Sequence, residues 1–133
     1  MDIREIRISN VLKDKSDGHP CVIGNKELIS ILDGEIDKYE PLPLTESILL
    51  ICGFKEHEYP FHSKNYVHNF YAYRFVLTLI DDGYLLQIYD LRKRLDGTPV
   101  YTIVRYLHHL QNLIVDITGE YVNLMDVSEC LFY

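Results

Sequence analysis

Apolar residues at Tyr106, Leu110, Leu113, Ile114 and Ile117 recur at helical spacing in the stretch that ends at Gly119. They define one stripe of an amphipathic helix, and Gly119 supplies the residue best able to take the left-handed conformation that closes it. A shorter helix is predicted just after Pro41-Leu42-Pro43-Leu44. Thr45 is a good N-cap, Glu46 favours the positive end of the helix dipole, and Ile48, Leu49 and Cys52 form a buried stripe. Gly53 and Phe54 then suit a C-terminal cap. Two turns of helix are marginal in isolation, so this element must be held by packing.

The rest of the chain reads as β structure. From Ile6 to Tyr39, short apolar runs are broken by Lys13 to Gly18, Gly24-Asn25 and Asp33-Gly34. Such turn formers between β-prone runs are hairpin signals. They predict three to five short strands in a small SH3-like barrel or curled sheet. Lys26 to Leu32 also fits a helix, through Leu28, Ile31 and Leu32. Lys55 to Asn69 is polar and predicts a loop or irregular edge. Tyr71 to Ile80 and Tyr84 to Tyr89 alternate around Asp81-Asp82-Gly83, which predicts a hairpin. Asp96-Gly97-Thr98-Pro99 then turns into a strand at Val100 to Ile103, and the apolar tail Tyr121 to Tyr133 is expected to pack. The expected class is α+β: an N-terminal β subdomain over 1–40, then helix, antiparallel meander and C-terminal helix over 41–133 as one compact unit, with the last helix on the meander.

A length of 133 residues with 47% hydrophobic content supplies a core without metal or disulfide help. The formal charge of −7 disfavours a general nucleic-acid binder, because that affinity rests on neutralising phosphates. Cys21, Cys52 and Cys130 are an odd count at irregular spacing, which suggests neither a disulfide framework nor a zinc knuckle. The charged start Met1-Asp2-Ile3-Arg4-Glu5 leads into no apolar signal segment. No apolar run approaches the ~18 residues of a membrane span. Cys130-Leu131-Phe132-Tyr133 matches a prenylation box only formally, since tyrosine is not a usual final residue. A reducing cytoplasm is the expected compartment, with no membrane partner.

At Arg7-Ile8-Ser9-Asn10, at Pro41-Leu42-Pro43-Leu44-Thr45-Glu46 through Gly53-Phe54, and at Tyr106 through Gly119, the chain resembles a family of small uncharacterised proteins of phages and mobile elements of Bacteroides-type bacteria. The family pattern is I-R-I-G-N, then P-I-P-L-T-E-E-W-L-x-x-x-G-F, then Y-V-H-x-L-Q-N-L-x-x-x-L-T-G. Ser9 stands where glycine is usual and Ile48 where tryptophan is usual. The resemblance implies an origin and no activity.

Four groups of residues invite a functional reading. His108, Asn112 and Asp116 are spaced to line one helical face beside His109. Asn is a poor transition-metal ligand and the spacing is not H-x-x-x-H, so a polar edge that caps neighbouring strands, or a partner contact at His108 and Asn112, is expected there rather than a metal. His57, His62 and His68 match no metal pattern and read as surface histidines. Arg92-Lys93-Arg94, with Tyr89 and Tyr101 nearby, could combine backbone charge with stacking as single-strand binders do. Eleven tyrosines and no tryptophan suit half-buried sheets, and also protein interfaces; Tyr89 and Tyr101 are candidate partner-binding residues.

No G-x-S-x-G, P-loop or G-x-G-x-x-G occurs, so no catalytic residue, cofactor or metal ligand is expected. The leading expectation is a non-catalytic accessory protein that binds a host or phage protein, or a second copy of itself. A nucleic-acid accessory factor using the N-terminal β subdomain or Arg92 to Arg94 stands second, and a small hydrolase or metal-dependent enzyme third.

Overall fold

The computed structural model describes residues 1–58, 64–92 and 100–119. Its contacts divide the chain into two units, one formed by Met1–Pro43 with Tyr106–Tyr133 and the other by Leu44–Arg105. The helix expected on the meander groups instead with the N-terminal segment.

In the first unit a 3-10 turn at Ile3–Glu5 precedes a sheet of β1 (Val11–Asp14), β2 (Pro20–Val22) and β3 (Tyr39–Glu40), antiparallel in the order β2-β1-β3. This is an open sheet and not a barrel, because much of the sequence read as strand is helical. Helix α1 (Asn25–Ser30) runs on into Ile31–Glu35, within which Gly34 at φ +102° breaks the regular course. Asp33-Gly34 therefore closes a helix and does not turn a hairpin. Leu28 and Ile31, at i and i+3, place the apolar side of this helix against Ile6, Leu12 and Ile23, with Ile36 and Tyr39 beside them. Glu27 accepts the amide of Gly24 at 3.2 Å and so satisfies one orphan donor at the helix start.

Helix α3 (Leu107–Thr118) ends at Gly119 with φ +74°, as its sequence predicts. Its buried face is Leu107, His108, Leu110, Gln111 and Ile114, whereas Tyr106, Leu113 and Ile117 are only half-buried. The face is rotated from the one that apolar spacing selects. The buried Gln111 side chain makes the difference: its Oε1 accepts the amide of Val11 and its Nε2 donates to the Ser9 carbonyl, both at 2.9 Å. Buried backbone groups require partners, and a helical glutamine serves two of them here.

The second unit holds α2 (Glu46–Ile51) and a five-stranded antiparallel meander of β4 (Lys55–Glu58), β5 (Lys64–Phe70), β6 (Tyr73–Ile80), β7 (Gly83–Asp90) and β8 (Val100–Val104), in sequential order. Thr45 Oγ1 accepts the amide of Ile48 at 3.2 Å. At the other end the amides of Phe54 and Gly53 donate to the carbonyls of Leu49 and Leu50, the paired bonds of a Schellman cap, with Gly53 at φ +96°. Lys55 to Asn69, read as a polar loop, contributes β4 and β5. On β5 the alternate residues Tyr66, His68 and Phe70 face the core. Phe70 lies 5.9 Å from Phe54 and 5.1 Å from Phe75, ring to ring. Tyr66, Phe75, Leu77, Tyr84, Leu86 and Ile88 complete that buried face. The expected hairpin pairs Ile80 with Gly83, where any Cβ would meet the Val104 carbonyl at 2.9 Å. Asp96 to Pro99 and Tyr121 to Tyr133 lie outside the described residues.

Candidate functional site

A densely hydrogen-bonded polar region of the first unit lies where residues 5–11 run along α3. Arg7 to Asn10 form a turn in which the Asn10 amide donates to the Arg7 carbonyl at 3.1 Å. Ser9, its third residue, has φ +76°. A type II turn demands this conformation there, and it favours glycine. Asn10 is buried. Its Oδ1 accepts the Arg7 amide at 2.7 Å, and its Nδ2 donates to Asn112 Oδ1 at 2.9 Å. Asn112 Nδ2 donates in turn to the Glu5 carbonyl at 2.7 Å. The Arg7 guanidinium makes two bonds to the Asp116 carboxylate, at 2.7 and 3.1 Å, and holds that carboxyl below its ordinary range. Replacing Ser9 with glycine relieves the positive φ, and stability should rise by roughly 1 kcal/mol in a urea titration. A fall would show that the serine side chain supports the turn in a way its backbone does not reveal.

Two histidines on the first turn of α3 face the same segment. His109 Nε2 lies 2.8 Å from Glu5 Oε2, with His109 about one-third exposed. His108 is 1% exposed, and neither ring nitrogen has a hydrogen-bond partner among the described residues. Its Nε2 is 3.9 Å from the same Glu5 oxygen. Burial, then the neighbouring His109, push the His108 imidazole down to about 4, against a smaller opposing pull from Glu5. The ring is therefore neutral near pH 7. Donor atoms of Glu5, His108 and His109 all lie within 4.8 Å of one another. A cleft of about 60 Å³ beside Arg7, Ser9, Asn10 and Gln111 is well below the ~300 Å³ at which small-molecule pockets begin.

No family model, curated protein or solved structure matches this chain. The site must therefore be read from its own geometry.

The structure separates the residues singled out in the sequence. His108, expected at a partner surface, is buried, and Asn112 spends its amide on Glu5 and Asn10. His57 and His68 sit on opposite faces of the meander: His57 pairs with Asn65, while His68 lies 5.5 Å from the Phe54 ring on the core side. His62, Lys93 and Arg94 lie outside the described residues. Arg92 is bound to Asp90 at 3.0 Å and to the Tyr73 hydroxyl at 2.9 Å. Tyr89 and Tyr101 share one sheet face, on either side of Gln87, to which Tyr101 is paired. Burial pushes the Cys52 thiol up to about 12, which keeps it protonated and unreactive. Among the described residues no helix is long and apolar enough to cross a membrane. Glu5 is the residue that sequence spacing misses, since it meets His109 from 104 positions away.

Proposed function

We propose that this chain is a non-catalytic binding protein, an accessory protein of a phage or mobile element, that engages another protein or a second copy of itself through the outer face of its meander. The observation that carries the reading is the row of apolar side chains on that face. Tyr101 is 55% and Ile103 48% exposed, beside half-buried Leu85 and with half-buried Tyr89 diagonal to Tyr101. Strand pairing puts Ile103 opposite Leu85 and Tyr101 opposite Gln87, so these groups are contiguous across β7 and β8. Large rings on a flat, partly apolar face are what interfaces enrich, because they bury area while the hydroxyl keeps a polar partner. The origin rests on the sequence resemblance alone. The nucleic-acid reading is weaker, because Arg92, the described member of its basic triplet, is already neutralised by Asp90.

Sedimentation velocity across a concentration series tests self-association, and cross-linked capture from a Bacteroides-type lysate, with nuclease controls, tests a foreign partner. Tyr101→Ala with Ile103→Lys should weaken whichever complex forms by at least about tenfold, the usual consequence of removing a central aromatic anchor. Association unchanged by the double substitution, or absent from both experiments, would overturn the proposal.

A further inference from the structure

We propose that Glu5, His108 and His109 form a binding site for one divalent transition-metal ion of the zinc class, with its remaining coordination position open to water. The sequence alone argues against a metal, because Asn112 is a poor transition-metal ligand and the spacing is not H-x-x-x-H. Folding supplies a carboxylate from elsewhere in the chain. The 3-10 turn brings Glu5 to the start of α3, and the helix fixes it there through Asn112, which holds the Glu5 carbonyl. Asn112 is thus a positioning residue, one helical turn beyond His108.

The distances suit a small ion. Ligands about 2.0–2.2 Å from a tetrahedral zinc lie roughly 3.3 Å from one another. Here Glu5 Oε2 is 2.8 Å from one imidazole nitrogen and 3.9 Å from the other, and donor atoms of all three residues lie within 4.8 Å of one another. Beside these distances, His108 is fully buried with Nδ1 and Nε2 both without a hydrogen-bond partner among the described residues. A buried polar atom left unmatched is costly and calls for an explanation. A metal bond to Nε2 provides one.

Ligand chemistry sets the class of ion. Two imidazoles and one carboxylate suit Zn²⁺, Co²⁺, Ni²⁺ or Cu²⁺, whereas Mg²⁺ and Ca²⁺ prefer oxygen throughout. Three protein ligands leave a tetrahedral ion one position short, and the partly exposed Glu5 and His109 leave that side accessible to water. Among the described residues His108 Nδ1 has no carbonyl or carboxylate to orient the ring, which makes the site weaker than closed structural zinc sites. The bound ion would clasp the N-terminal turn to α3.

The experiment uses tag-free full-length protein stripped with chelator and dialysed. Titration calorimetry with zinc chloride should give one site per chain, and Co²⁺ should produce the visible absorption of a low-coordinate site. Glu5→Gln and His109→Ala alter partly exposed residues and should leave the circular dichroism spectrum unchanged. Each should weaken zinc binding by at least about tenfold, while His57→Ala, on the meander, should bind as the parent does. Failure of the parent protein to saturate at one ion per chain would overturn the assignment. So would parent-like affinity in either folded ligand variant.

Discussion

Replacing Leu110 with alanine should lower the unfolding free energy by about 2–5 kcal/mol, the usual range for emptying a buried leucine site. Leu110 is 1% exposed at the end of the first turn of α3, and the neighbouring Gln111 is anchored to the backbone of Val11 and Ser9. Those two bonds keep the helix from sliding inwards, so the cavity stays largely open and its lining loses contacts outright. His109→Ala, one position away, removes a partly exposed ring and its pairing with Glu5 and should cost about 1 kcal/mol or less. A denaturant titration of the two variants against the parent measures both, through the midpoint at constant slope. Equal and small losses would show that α3 buries a different face.

That comparison bears on how much of the molecule is legible in its sequence. Where local rules dominate, the chain declares itself. Thr45, Gly53 and Phe54 mark the ends of α2 because capping chemistry is confined to a few neighbouring residues, and Asp81-Asp82-Gly83 marks the hairpin for the same reason. Where polar residues lie inside, the pattern misleads. Apolar spacing on α3 selects Leu113 and Ile117, but Gln111 takes the buried face because backbone donors and acceptors at residues 9–11 need partners. In β5 the inward row of Tyr66, His68 and Phe70 is interleaved with Asn65 and Asn69, and the mixture reads as a loop. The Glu5 carboxylate is the extreme case. Nothing in the spacing of His108 and His109 points to a residue at the other end of the chain, and only the tertiary placement of the 3-10 turn joins them.

Acid should expose the second large effect. In chelator-treated, metal-free protein, His108 alone should remove about 3 kcal/mol of stability between pH 6.5 and 4. The unfolded chain carries an ordinary imidazole that protonates near 6.5, while burial holds the folded ring down to about 4. As pH falls through this window, the unfolded state takes up a proton that the folded state refuses, so stability falls. Above 6.5 both rings are neutral and His108 contributes no slope. Below about 4 the folded ring protonates too and the loss levels off. The charged and titratable groups around the ring are His109, Glu5 and the chain's amino terminus. Asp116, held low by Arg7, gives up its stabilisation only as pH falls below the ordinary carboxylate range, beneath most of this window. His108→Leu should flatten the profile between pH 6.5 and 4 and leave the more acidic part in place, since an apolar side chain of similar bulk suits the buried position and brings no orphaned nitrogen. Ring-proton NMR of the parent protein measures the same quantity without a substitution. An inflection for His108 near pH 4 accords with the mechanism, whereas one near 6.5, or parallel stability profiles for parent and variant, would mean that the ring is in contact with water.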